Sequence, residues 1–571
     1  MEATFSEYFP YEHHTARLPE LNGGQERARH KVVIAGGGPT GLAVALGLAN
    51  YGIPSVVLEA DETICTGSRA GAFTRRTMEI FDRLGVAEAV LDTSLRWNEG
   101  WTFLGLTEIA RLSLPTDETQ KFPASISQLQ NYIEHCMVKQ AERRADLIDI
   151  RWQTRVKQVT HSERGAHLAV ETPTGSYELD TDWLIACDGG QSTVRRELGL
   201  RMQGRRHVGR YVIIDIRVDN DAIRAGRHCW FNPPSLPGGT LLMYKQPRGM
   251  IRFDYQIREE EEEWASKPDE VLKRVQKHLD MIGIDRPWEP VWISLYRASA
   301  MTLDKYRHGR VLFLGDAAHL VPIFGVRGMN SAVEDAHNLA WKLAFTIKGL
   351  VSDDLLDGFS AERRFAALEN MRYASQGAEF MSPPTAPHKV VRDAVLSLAK
   401  DTPALRELVI PRQHAAIPLS ESPLSVPDEP GAFAAGPAPG AVLPECPLRI
   451  HRGNEVSSGH LTDLLGPYFT ALYFSEAGEM PEALGEACER FARALPFALR
   501  VLSRGGAARG SVSAEDDAGR LFPLYGAQAG TLYLVRPDGH VMARWKQAEP
   551  RHLDAALGRL PVRRDKEALS A

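Results

Sequence analysis

Asp316 closes the apolar run of "GRVLFLGDAAH", and behind it "LVPIFGVRGMN" forms a loop of small residues before a helical pattern starts. A carboxylate at such a strand end is left nearly buried, and an ionised group taken out of water without hydrogen-bond donors is costly. A polyol chain bearing several hydroxyls is a fitting donor. The pattern behind the loop is apolar at Ala332, Val333, Ala336, Leu339, Ala340, Leu343, Ala344 and Ile347, the i, i+3, i+4 spacing of an amphipathic helix. Its start falls at Gly328, Met329 and Asn330, whose N–H groups lack intrahelical acceptors and carry the positive end of the helix dipole. A cleared loop with a carboxylate on one side and a helix end on the other suits a flat ring that becomes negative when reduced.

Two earlier stretches supply the rest of such a ligand's site. In "KVVIAGGGPTGLAVALGLANYGIPSVVLEAD" an apolar strand, Val32 to Ala35, runs into Gly36-x-Gly38-x-x-Gly41, with Pro39 and Thr40 opening a helix of small residues. Gly36 permits a tight turn, Gly38 lets the backbone approach a pyrophosphate, and Gly41 lets helix and strand pack closely. A second strand, "SVVLE", ends in Glu59, 18 residues after Gly41 and placed to accept hydrogen bonds from an adenosine ribose. "DWLIACDGGQSTVRRELGL" is a further strand, Trp183 to Cys187, ending in Asp188-Gly189 before a basic helix start. The glycine motif alone leaves NAD and FAD open. Asp316 favours FAD, whose ribityl is the polyol that the carboxylate requires.

The elements that position these residues belong to a long chain. Its 571 residues predict two or three domains, and 43% hydrophobic with 25% charged residues is a globular composition. A net charge of -6 argues against a nucleic-acid surface. No apolar run reaches the roughly 18 residues of a membrane span, and the first thirty residues hold no secretory apolar segment. The six cysteines are scattered without a C-x-x-C, which predicts reduced thiols in a cytoplasmic protein, with no disulfide frame and no metal site. The expected divisions are an N-terminal extension (1–30), a nucleotide-binding domain interleaved with a β-sheet substrate domain (31–415), a Pro/Gly-rich linker (416–447) and a separate α/β module (448–560). The substrate part is expected at roughly 90–125 and 201–300, with a hairpin around "QPRG". "RPDGHV" is expected to turn between two strands of the last module.

The order GxGxxG, Asp-Gly, Gly-Asp over about three hundred residues resembles the class A flavoprotein aromatic hydroxylases, among them 4-hydroxybenzoate hydroxylase and phenol hydroxylase. "GDAAHLVPIFGVRGMN" is similar to that family's Gly-Asp segment almost position by position. "SRAGAFTRRTMEIFDRLGV" resembles the stretch whose Arg contacts FAD, here Arg69, and "QLQNYIEHCM" the helix with a flavin-contacting Gln, here Gln130. The resemblance implies an α/β (α+β) fold: a Rossmann-like FAD-binding domain, the β-sheet substrate domain, and a thioredoxin-like C-terminal domain that is structural or dimer-forming. It implies FAD held by Gly36, Gly38, Pro39, Thr40, Gly41, Glu59, Arg69, Gln130, Asp188, Gly189, Asp316, Gly328, Met329 and Asn330. The implied reaction is hydroxylation of a phenolic compound with NADPH or NADH and O2, through a flavin C4a-hydroperoxide. With one glycine fingerprint in the chain, the nicotinamide is expected to bind transiently.

No residue identifies itself as the group that removes the phenolic proton. Tyr255, Arg252 and Tyr244 on the predicted hairpin are candidates, and Pro322 joins them through a loop carbonyl that faces the phenol in the family. His319 reads as structural, and His228 stays open. Two departures from the family pattern stand out: Ile323 replaces a second loop proline, and Gly325-Val326-Arg327 replaces the usual paired glycines. Epoxidation, Baeyer–Villiger insertion and a non-catalytic flavoprotein remain as alternatives, while the W-x-W-x-I-P segment of halogenases is absent.

Overall fold

The computed structural model describes residues 2–563 except 68, 220, 266, 411 and 505–511. Strand Gln25–Ala35 lies between Ser55–Leu58 and Gly175–Ala186, parallel to both. Ile148–Arg151 extends the sheet on one side, and Val311–Phe313 joins the C-terminal end of Gly175–Ala186 on the other. Val32–Ala35, Val56–Leu58, Leu184–Ala186 and Val311–Phe313 are buried without a break. Covered on both faces, such parallel strands read as continuous apolar runs instead of alternating ones. Helix Pro39–Ala49 is buried from Thr40 onward, which explains its all-round small apolar composition. It packs against helix Gly328–Ile347 closely enough that a Cβ on Gly47 would come within 2.9 Å of the Ala340 methyl. The carboxyl ends of the three central strands therefore meet at Gly36, Asp188 and Asp316, the end at which open α/β sheets bind ligands.

A second sheet runs in the order Glu2–Thr4, Trp288–Thr302, Gln203–Val218, Met250–Ile257, Thr240–Gln246, Arg227–Phe231, Glu99–Leu104, Thr107–Ser113. Gln246 and Met250 close the expected hairpin, with Arg248 and Gly249 at positive φ in its turn. One face packs on helix Pro268–Met281 through Val212, Ile214, Met243, Phe253, Tyr255, Val275 and Leu279. The other face looks toward the first sheet's carboxyl ends.

The first thirty residues are not a separate appendage. Glu2–Thr4 is the edge strand of the second sheet, and Gln25 already begins the central strand of the first. "QERARHK" hides this because the lower half of that strand alternates charged residues on an open face instead of continuing the apolar run.

The C-terminal module places Phe469–Ser475 parallel to Phe497–Ser503 across helix Glu482–Ala494, then adds the hairpin Leu532–Val535/Val541–Trp545 and helix Pro550–Leu557. This order is compatible with a thioredoxin-like module. The Pro/Gly-rich connection before it is irregular but packed: the Val426 N–H donates to the Met542 carbonyl at 2.8 Å, and the Gly440 N–H to the Val541 carbonyl at 2.7 Å. Among the described residues no helix is long and apolar enough to cross a membrane.

Candidate functional site

Between the carboxyl ends of the first sheet and the open face of the second lies a cavity of about 780 Å³. Its first wall holds Gly38, Pro39 and Thr40 at the glycine turn, Asp188 and Gly189 after Gly175–Ala186, and Asp316 after Val311–Phe313. Gly328, Met329 and Asn330 bring the N-terminus of the long helix to the same wall, and Arg69 and Gln130 close it from the side. Residues 38 to 330 of the chain thus reach one space because three strands and two helices end there.

The glycine turn is shaped for a close-lying anion. Gly36 has φ +100°, and a Cβ there would lie 2.5 Å from the Cys187 carbonyl oxygen. A Cβ on Gly41 would overlap the Gly36 carbonyl, so that position accepts glycine alone. A Cβ on Gly38 would meet nothing within 4 Å, so its absence leaves open space at the cavity wall where helix N–H groups point. Glu59 does not line the cavity. Its carboxylate accepts from the Gly37 N–H at 2.7 Å and the Asp61 N–H at 2.9 Å, and burial pushes its pKa up.

Asp316 differs from its expected burial. Its side chain is accessible through the cavity, although it sits deep in the molecule and burial raises its pKa against the pull of His319, Arg69 and Arg195. None of these groups hydrogen-bonds it, so its acceptor capacity faces the cavity. Asp188 is similar: one oxygen accepts from the Val194 N–H at 3.0 Å, and the other is buried without a partner. Carboxylates turned inward, an unobstructed glycine turn and a helix end form a donor and acceptor set that fits the phosphates, ribityl and ring of FAD.

Other side chains on this wall are tied into the protein. Gln130 accepts from the Ala70 N–H at 3.1 Å and donates to Glu134 at 2.8 Å, fixing the segment after Arg69. The Asn330 amide accepts from the Thr74 N–H at 3.1 Å and donates to the Ala72 carbonyl at 3.2 Å, so the helix start is pinned by its side chain and its backbone stays turned to the cavity. His319 is buried at 2.7 Å from Asp335, itself paired with Arg363 at 2.7 Å, and serves the scaffold.

The second wall is the sheet face, and strand alternation decides who belongs to it. Arg252 and Asp254 face the cavity with Leu242, Tyr244 and Ile213. Tyr255 does not: an odd offset from Arg252 turns it to the opposite face, against His278 and beneath Arg274 at 5.7 Å. His228 is likewise turned away, stacked at 4.6 Å on Trp101, and burial lowers its pKa to about 4. Pro322 is buried behind the loop while Val321 and Ile323 on either side line the cavity. Arg252 is on the wall but spoken for: Nε donates to Asp215 at 2.9 Å, Nη2 to the same carboxylate at 3.2 Å, and Nη1 to the Arg69 carbonyl at 2.6 Å. Tyr8, from the N-terminal stretch, donates to Asp215 at 2.7 Å and completes that cluster. The Tyr296 hydroxyl accepts from the Ile323 N–H at 3.1 Å and holds the loop against the sheet.

Asp254 was not singled out by the sequence. It is 6% exposed, lines the cavity, and keeps one oxygen buried without a hydrogen bond. The signal that could have found it is its position two residues after Arg252, which puts both on one face of the strand.

The FAD binding domain family matches residues 29–374. A 4-methyl-5-nitrocatechol 5-monooxygenase from a Burkholderia species is 28% identical over 557 residues, covering 90% of this chain and 93% of that protein. A 3-(3-hydroxy-phenyl)propionate/3-hydroxycinnamic acid hydroxylase from Mycolicibacterium smegmatis is 27% identical over 396 residues, covering 68% of this chain and 67% of its own length. Among solved structures, the flavin-dependent monooxygenase PieE, in complex with FAD and substrate, superposes with a TM-score of 0.78 at 22% identity over 93% of this chain and all of that one. With the glycine turn, the two inward carboxylates and the helix end gathered at one cavity, the chain belongs to the FAD binding domain family and is an FAD-dependent monooxygenase.

Proposed function

We propose that the protein hydroxylates a phenolic ring with electrons from NADH or NADPH and one oxygen atom from O2. The observation that carries this reading is the shared cavity: the residues that fit FAD face, across one space, a sheet wall bearing Asp254, Tyr244 and Arg252 among apolar side chains. Relatives named as a hydroxyphenyl propionate hydroxylase and as a nitrocatechol monooxygenase support it.

FAD, when bound, supplies two-electron chemistry with reduced nicotinamide and the activation of O2. The chain's own residues do the rest. The N–H groups of Gly38 and Thr40 would hold the phosphates, Asp188 and Asp316 would take hydroxyls of the cofactor, and the Gly328–Asn330 helix end would offset negative charge on the ring, with Glu59 bracing the glycine turn from behind. Ile213, Leu242, Ile323 and Phe324 exclude water from the other side of the space and hold a planar apolar substrate against the loop. Six free thiols fit a reducing, cytoplasmic setting.

The test is consumption of reduced nicotinamide in air by the FAD-loaded protein over a panel of phenols, with peroxide measured alongside. Many-fold stimulation with little peroxide is the expected result. Absence of stimulation by every phenol would return the reading to another oxygenation or to a non-catalytic flavoprotein.

A further inference from the structure

We infer that Asp254 is the group that takes the proton from the substrate's hydroxyl, an assignment that rests on the phenol reading above. The strand register sets the argument. Asp254 pairs with Ile213 on one side and Leu242 on the other, and Leu242 in turn pairs with Cys229. Its cross-strand neighbours are therefore apolar or weakly polar, and none donates to it. In the adjacent row the other carboxylate, Asp215, takes the Nε and Nη2 hydrogen bonds of Arg252 and the Tyr8 hydroxyl. Arg252 thus lends Asp254 its charge but no hydrogen bond; the carboxylate lines the cavity, and one of its oxygens is buried without a partner.

A buried carboxylate left so is an acceptor awaiting a donor. A phenolic hydroxyl entering beside Ile213 and Leu242 is that donor. The O–H bond breaks with its electron pair remaining on the phenol oxygen, and the proton passes to Asp254. It returns to the same oxygen when the product ring regains aromaticity. The charge left on the substrate lies beside Arg252, whose positive charge offsets it.

The rival groups on this wall are less fit for the task. Burial pushes the phenols of Tyr244 and Tyr296 above their ordinary range, which leaves both as donors at neutral pH. Asp188 and Asp316 lie on the opposite wall. The charged and titratable groups around Asp254 are Arg252 on its own strand, Asp215 and Tyr211 on the strand to one side, and Tyr244, Cys229 and the buried Arg227 to the other. Burial raises the Asp254 pKa to about 7, with Asp215 adding to the rise and Arg252 opposing it, which suits a proton acceptor at neutral pH.

The experiment compares wild type, Asp254→Asn, Asp254→Glu and Ile213→Thr, all FAD-loaded. The first readout needs no turnover: a nitrophenol, whose phenolate absorbs in the visible, is titrated onto the oxidised enzyme across pH without nicotinamide. Wild type is expected to bind it as phenolate with an onset near neutrality, and Asp254→Asn to bind it as the neutral phenol. The second readout is the pH profile of kcat/KM, expected to fall roughly 10²- to 10⁴-fold in Asp254→Asn and to recover in part in Asp254→Glu. Ile213→Thr places a hydroxyl donor across from the carboxylate and is expected to move both onsets to lower pH, so the assignment stays testable if the Asn variant does not fold. Unchanged phenolate formation and unchanged kcat/KM in Asp254→Asn, or an unmoved onset in Ile213→Thr, overturn the assignment alone. A wild type that neither binds nor is stimulated by any phenol overturns the phenol reading, and the assignment with it.

Discussion

Asp316 and Asp254 both turn acceptor capacity toward the cavity, yet they answer to different neighbours. Asp316 has cations nearby but no donor of its own, so its acceptor capacity is free for the cofactor hydroxyls we propose it binds. Asp316→Ala is expected to weaken FAD retention by about 10- to 100-fold, the loss of charge-assisted hydrogen bonds worth ~1.5–3 kcal/mol, read from flavin released on dilution. Asp254 carries a stability cost with a definite sign. Its folded pKa, about 7, lies above the ordinary 3.8, so the folded state holds the extra proton between those values. Stability contributed by this group is present below that window and falls as pH rises through it. Without phenol, Asp254→Asn is therefore expected to stabilise the protein at pH 8 by up to about 4 kcal/mol and hardly at all at acid pH. Denaturant titrations at the two pH values check it.

At the level of elements, the loop between Asp316 and the long helix is held in a strained turn. Gly325 has φ +87° and the β-branched Val326 has φ +55°, a conformation that non-glycine residues avoid. The Val326 carbonyl is bound by the Asn330 amide, and the Ile323 N–H by Tyr296, so the loop is clamped at both ends. Val326→Gly is expected to raise stability by about 1 kcal/mol through relief of that strain, measured by thermal unfolding. Gly41→Ala is the opposite case: the methyl would collide with the Gly36 carbonyl, and the expected outcome is loss of FAD binding. Fluorescence of retained flavin reports it.

The whole molecule is joined by charge. The turn Arg536–His540 of the C-terminal module enters the first domain, where Arg536 donates to Glu362 at 2.7 and 2.9 Å and Asp538 accepts from Asn338 at 3.0 Å and Trp341 at 3.1 Å. The Arg76 and Arg83 guanidinium groups donate to the Asp538 and Pro537 carbonyls at 2.7 and 2.9 Å. Asn338 and Trp341 lie on the same helix whose first residues line the cavity, so this docking also steadies the site. Glu362→Gln is expected to cost ~3–5 kcal/mol, because Lys342 would stay buried without its counter-charge and Arg536 would keep only Asp538. Faster proteolysis within 416–447 reads the loosened module. Burial alone would raise the Glu362 pKa, but Arg536 and Lys342 hold it well below its ordinary 4.5. Its contribution is thus present above that value and lost as pH falls below it. Acid unfolding followed by tryptophan fluorescence is expected to show stability declining below about pH 4.5 in the wild type and less steeply in Glu362→Gln.

Much of the cofactor side was legible because it is written in local rules. Gly36 and Gly41 need particular backbone conformations or close contacts, the apolar runs ending at Asp188 and Asp316 are strands buried on both faces, and the helix after Arg327 repeats every turn. These constraints act within a few residues, so they survive in sequence. The N-terminal stretch was not legible, since Glu2–Thr4 and Tyr8 owe their places to partners about two hundred residues or more away. Nor was the substrate wall. Tyr255 and Arg252 looked equivalent along the chain, while the pleat separates them and brings Asp254 to the cavity instead. The sequence alone determined that FAD is the cofactor and marked the turns proposed to hold it. Which carboxylate faces the ring's partner was decided by the tertiary structure, because register pairs Asp254 with Ile213 and Leu242 and gives the hydrogen bonds of Arg252 to Asp215.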